Sequence, residues 1–129
     1  MKNLIFPLIF CAVVTACAPR SISTMEQMPR AYSAVTKKSA AGFTGCIQPK
    51  LERYPVMIGF AFEDRTALVQ TRDTEGGKDI YQLQNSEMMT LVTYRRKASG
   101  NQISLYVANN HFAANRIKTD YSRMIDGCK

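Results

Sequence analysis

The period of apolar and polar positions changes along the chain, and each change marks an element. From Ala31 to Ile47 the apolar residues fall at Tyr32, Val35, Ala40, Phe43, Cys46 and Ile47. Spacings of three, four and their sums put them on one side of an amphipathic helix. Gly42 and Gly45 weaken its end, each by about 1 kcal/mol in a helix interior, and Pro49 stops it. The middle of the chain alternates instead. Val56, Ile58, Phe60 and Phe62 are followed by Ala67, Val69 and Thr71, then by Ile80 to Gln84, Met89 to Lys97, and Ile103, Leu105 and Val107. Turn compositions at 73–78 and 97–101 separate them. These are four or five short strands with hairpin-length connections, so antiparallel pairing is the simple topology. Alternation in the last strand leaves one sheet face wetter. From Phe112 the helical period returns, with Ile117, Tyr121, Met124, Ile125 and Cys128 on one stripe. Asn109 or Asn110 can cap this helix and Gly127 ends it. The order helix, strands, helix gives an α+β fold: an antiparallel four- or five-stranded sheet with an N-terminal and a C-terminal helix on one face.

The first residues follow a different logic. An apolar stretch from Leu4 to Ala16 stands behind one basic residue, Lys2, and closes on Val14-Thr15-Ala16-Cys17. Charged start, short apolar run and small residues at the cut are the layout of a secretory signal peptide. The run is too short to span a bilayer, which takes about 20 residues. A cysteine directly after the small residues resembles the lipobox of bacterial lipoproteins. Cys11 is a poor rival, because bulky Phe10 precedes it. The resemblance implies cleavage before Cys17, a lipid on its thiol and an acyl chain on its new amino group. Ala18 and Pro19 follow, rather than an aspartate, which implies export to the outer membrane of a Gram-negative cell. Two or three acyl chains, at about 0.8 kcal/mol per buried methylene, hold a protein firmly. Residues 1–16 are thus the expected signal peptide. Residues 17–30 are the lipidated cysteine and a polar, proline-containing tether, about 12 residues that reach roughly 40 Å when stretched. Residues 31–129 form one small domain.

With Cys11 removed and Cys17 lipidated, Cys46 and Cys128 remain, and they allow one pairing. An exported chain folds in an oxidising compartment, so the pair is read as a disulfide between the two helices. It closes a loop of about 80 residues, worth roughly 4 kcal/mol on the chain-entropy account. No further Cys or His stands at ligand spacing, so a metal is not expected.

The formal net charge is +7, of which Lys2 leaves with the signal. Such a balance supports solubility and attraction to anionic surfaces. Nucleic acid is not an expected partner of an envelope-anchored domain. Tyr94-Arg95-Arg96-Lys97 is the notable basic run. Arg95 and Lys97 share one sheet face, Tyr94 and Arg96 the other. On an exposed edge, Arg95, Arg96 and Lys97 could bind an anion or blunt the edge against aggregation.

Other candidates read as structure. His111, the single histidine, has no orienting acid or Cys nearby, which a catalytic histidine needs. No serine lies in a Gly-x-Ser-x-Gly turn. Met25 and Met28 resemble half of a soft copper site but lack a third ligand. Met57, Met88, Met89 and Met124 suit core filling. Glu63-Asp64 reads as a solvated turn. Gly76-Gly77 lacks the lysine of a phosphate loop.

Together these features point to a non-enzymatic protein without cofactor or small-molecule substrate. It is held to the membrane through lipid on Cys17 and meets an envelope protein partner in envelope structure or assembly. In size, tether, layout and disulfide it is broadly similar to small accessory lipoproteins such as secretion-system pilotins. The alternative is a periplasmic inhibitor or immunity lipoprotein that blocks an enzyme or toxin.

Overall fold

The computed structural model describes residues 21–58, 61–63, 68–84, 87–108 and 113–129. The α+β class holds. A five-stranded antiparallel sheet runs in the order β1 (Tyr32–Thr36), β7 (Asn101–Val107), β6 (Glu87–Arg95), β5 (Gly77–Gln84), β4 (Leu68–Thr74). A separate hairpin pairs β2 (Val56–Ile58) with β3 (Ala61–Glu63). Strands β4 to β7 form a meander, as their short connections require, and β1 joins the open edge of β7.

Helices α2 (Ala40–Glu52) and α3 (Ala114–Asp126) pack on one face. From α2 come Phe43, Ile47 and Leu51, and from α3 Ile117, Tyr121 and Ile125. They meet Ile80, Val92, Tyr94, Ile103 and Leu105, the residues whose alternation points to this side. The Cys46–Cys128 disulfide joins the helices with Cα atoms 5.7 Å apart. Cys128 is buried and stands one residue beyond the α3 C-cap, Gly127, rather than on the helix itself.

The structure differs from the sequence reading at the N-terminal end. The helix expected over 31–47 is a strand followed by a helix. Tyr32, Ala34 and Thr36 alternate toward the helix side of the sheet, and the Tyr32–Val35 spacing of three only mimics a helical period. Ser39 then caps α2, accepting from the Gly42 N–H at 3.0 Å. Pro49 does not stop this helix, which runs on to Glu52. Proline forfeits one hydrogen bond, to Gly45, and the last turn closes beyond it through the Arg53 N–H to the Pro49 carbonyl at 3.3 Å. The N-cap of α3 is Ala113; the expected caps Asn109 and Asn110, with His111 and Phe112, lie outside the described residues.

The expected flexible tether also becomes structure within its second half. Ser21 accepts from the Thr24 N–H at 3.2 Å and starts α1 (Ile22–Glu26). Ile22, Met25 and Met28, three apart, face the side of the sheet opposite α2 and α3. There Met25 is fully buried against Met88, Leu91 and Tyr106. Polar composition concealed this spacing. The centre of the sheet is therefore covered on both faces, and β7 is buried from Ile103 to Val107 rather than wet on one side. Only four chain links separate Cys17 from Ser21, and they span at most about 14 Å.

Candidate functional site

Strand alternation gathers the charged groups on the α1 side of the sheet. Arg72, Asp79, Thr93, Ser104 and Ser33 stand in register across β4, β5, β6, β7 and β1. They form a polar row that crosses the whole sheet. The neighbouring row holds Gly77, Arg95, Gln102 and Val35. On its other flank lie Tyr81, Leu91 and Tyr106, the apolar patch that α1 covers.

Asp79 is fully buried. One carboxylate oxygen accepts from Arg95 Nη2 at 2.6 Å and the other from Arg72 Nη2 at 2.9 Å. A carboxylate removed from water needs such charge-assisted partners on both oxygens. Arg95 Nη2 also reaches Glu26 Oε1 at 3.2 Å. Its Nη1 donates to the carbonyls of Tyr94 at 3.0 Å and Lys78 at 3.3 Å. Beside this network, Gln102 Nε2 donates to Ser33 Oγ at 3.3 Å. Because Glu26 belongs to α1, the network Arg72–Asp79–Arg95–Glu26 fastens that helix to the sheet. Its chemistry is that of a clamp, with both Asp79 oxygens engaged.

This placement corrects the reading of the basic run. Arg95 is committed to two carboxylates and is not free for an outside anion. Nor does the run blunt an edge, since β6 lies in the sheet interior between β5 and β7. Tyr94 is buried on the helix side, stacked on Phe43 with ring centroids 6.1 Å apart, and its hydroxyl donates to the Lys38 carbonyl at 2.6 Å. Arg96 and Lys97 leave the end of the strand into solvent. The three expected anion ligands thus part company: one lies under α1, and two stand exposed at the end of the sheet.

The helix side holds a second polar cluster that the sequence reading missed. The Tyr121 hydroxyl donates to Gln82 Oε1 and accepts from Thr90 Oγ1 at 3.4 Å, all three groups being buried. Tyr54 packs edge-on against Tyr121 and donates to Asp120 Oδ2 at 2.7 Å. Burial raises the pKa of both phenols above the usual tyrosine value, and for Tyr54 the hydrogen bond to Asp120 adds to it. At the chain end, the Tyr32 hydroxyl donates to Asp126, which also pairs with Lys129 Nζ at 3.0 Å. These hydrogen bonds hold the Asp126 carboxyl below its ordinary pKa.

Met25 and Met28 belong to the apolar cluster between α1 and the sheet. Among the described residues no three His, Cys, Asp or Glu side chains converge as a metal group. Gly76 adopts φ +92° in the β4–β5 turn. At Gly77 a Cβ would lie 1.8 Å from the Tyr94 carbonyl oxygen. The glycine pair therefore serves a tight hairpin pressed on β6. Glu63 lies in β3; its neighbour Asp64, like Cys17, lies outside the described residues.

An acid in the interior of a strand was the available signal for the clamp. Asp79 directly precedes Ile80, and such a residue needs a cation across the strand. Arg72 becomes that cation only once the hairpin register is known.

Among the described residues no helix is long and apolar enough to cross a membrane. Comparison with protein-family models, curated proteins and solved structures finds no match to this chain.

Proposed function

We propose that the chain is an outer-membrane lipoprotein, cleaved before Cys17 and anchored by acyl chains there. Its α+β domain serves on the periplasmic side as a non-enzymatic interaction module in envelope structure or assembly, of the secretion-system accessory type. The observation that carries this reading is the lipobox-like run Val14-Thr15-Ala16-Cys17 behind its short apolar stretch. Two features of the folded part agree with it. The disulfide suits an oxidising compartment, and α1 begins close enough to Cys17 for the anchor to fix the domain beside the membrane. The domain then offers partners a stable, membrane-proximal surface instead of ranging on a long leash.

Metabolic labelling with a fatty-acid analogue tests the anchor. The wild-type protein takes the label and Cys17→Ala does not; label retained by the variant would overturn the reading. Photo-crosslinkers placed in intact cells at exposed Val35 and Leu68, on the two edge strands, test the interaction. A discrete heavier adduct is expected. Its absence from an exposed-surface panel across both edges and both helices would refute an interaction role.

A further inference from the structure

Arg96 and Lys97 are joined at the end of the sheet by a second basic pair from elsewhere in the chain. Lys37 and Lys38 follow β1, and the fold brings them to the β6–β7 turn. The Lys38 carbonyl accepts from Tyr94 Oη at 2.6 Å and from Asn101 Nδ2 at 3.2 Å. The turn itself closes through the Gly100 N–H to the Lys97 carbonyl at 3.1 Å. Gly100 lies so near β1 that a Cβ there would stand 2.8 Å from Val35 Cγ1. All four cationic residues are exposed, and none forms an ion pair among the described residues. The acids near this end are largely engaged: Asp73 with Lys78 at 3.4 Å and Glu26 with Arg95. Asp73 is itself 87% exposed, and Glu75 is a second exposed carboxylate beside it, in the hairpin that the Arg96 N–H holds through the Gly76 carbonyl at 2.8 Å.

We infer that Lys37, Lys38, Arg96 and Lys97 form a docking surface for the phosphate headgroups of the bilayer that holds the protein's own lipid. The choice of a lipid surface rests on the anchor proposed above and on reach. Glu26 touches Arg95, the residue before Arg96. Ser21 lies one short helix from Glu26, about 8 Å along the axis, and Cys17 at most about 14 Å further. The basic end can therefore reach the headgroups while Cys17 remains inserted. Charges that approach an anionic surface to within a Debye length, about 8 Å at physiological salt, are attracted to it. Each is worth about fivefold in membrane partition. The covalent lipid supplies the holding energy, and the basic end sets which way the domain faces.

The test uses the whole mature chain in two forms. A lipid-free form, Cys17→Ala made without residues 1–16, is sedimented with phosphatidylcholine vesicles with or without phosphatidylglycerol. We expect partition into the anionic vesicles to exceed that into neutral ones by roughly several hundredfold. It should fall to the neutral level in Lys37→Gln/Lys38→Gln/Arg96→Gln/Lys97→Gln and as salt is raised. A control with Arg30, Lys50, Arg53 and Arg123 changed to Gln removes the same charge elsewhere and should retain most of the binding. Equal loss in both variants would assign the effect to net charge and overturn the docking surface. Binding to an anionic polysaccharide but not to vesicles would also overturn it. The lipidated protein in the same two vesicles gives the second readout. Hydrogen exchange at residues 37–38 and 96–101 should slow several-fold with the anionic lipid only. Lipid found on Cys17 with no such slowing would refute the docking surface and leave the anchor standing. Absence of lipid on Cys17, with vesicle binding by the lipid-free form intact, would refute the anchor alone.

Discussion

Met25→Ala separates a packed α1 from a free tether. Met25 is fully buried on Met88, Leu91 and Tyr106. Removing a buried methionine side chain costs about 2–5 kcal/mol in a protein core. The cost here should sit at the lower end. α1 has five residues, far fewer than the roughly 12–15 a helix needs to be marginally stable in isolation. Without its anchor it can leave the sheet instead of enclosing a cavity, so the loss is capped by its own docking energy. We expect about 2 kcal/mol, which for a domain of this size lowers Tm by about 8–12 °C. Chemical denaturation gives the free energy, and hydrogen exchange shows whether protection of residues 22–28 disappears while that of β6 and β7 persists. Ser23→Ala, at an exposed position on the same helix, should change stability by no more than about 0.5 kcal/mol. A Met25→Ala protein with unchanged midpoint and unchanged protection would refute the packing of α1, and with it the short distance between Cys17 and the domain.

Other predictions follow from the same contacts. Cys46→Ser and Cys128→Ser should each cost about 2–5 kcal/mol, and equally, because either breaks the same bond; a clear inequality in denaturation midpoints would point to a separate role for one thiol. Asp79→Asn should cost about 2–3 kcal/mol. That is less than the roughly 3–5 for breaking a fully buried pair, because Arg72 and Arg95 are 55% and 30% exposed and keep some hydration. Arg72→Gln alone should cost under about 1 kcal/mol, and a double-mutant cycle compares the two. For Tyr121, a raised folded pKa means that its contribution is complete below the unfolded value near 10. That contribution is lost as pH rises from there through the folded value. Ultraviolet titration should show a late phenol step that accompanies alkaline unfolding, shared by Tyr121 and Tyr54, and Tyr121→Phe should make that step smaller.

The parts of the fold legible in the sequence are those where one period runs long enough. Ile117, Tyr121 and Ile125 define α3 because nothing interrupts their stripe. Ile103, Leu105 and Val107 define one face of β7. The failures share a cause. Tyr32 to Thr36 is five residues long, too few for a period of two to outweigh a chance spacing of three. α1 is equally short, and Ile22 and Met25 within it, with Met28 just beyond, gain meaning only against the patch formed by Leu91 and Tyr106. Pro49 misled because a proline near a helix end removes one bond without closing the last turn. In the candidate site, Arg95 was visible as a cation but its partners were not. Asp79 reaches it across a hairpin and Glu26 from a segment read as a leash. Lys37 and Lys38 were passed over for the same reason: their proximity to Arg96 exists only after β1 has docked on β7.

The central claim is the anchor at Cys17, and the mass of the protein extracted from membranes tests it most directly. The account predicts a chain that begins at Cys17, carries the mass of two or three acyl chains there, and shows Cys46 and Cys128 oxidised to each other. An intact chain still beginning at Met1, or a chain cut at another residue with an unmodified Cys17, would contradict it.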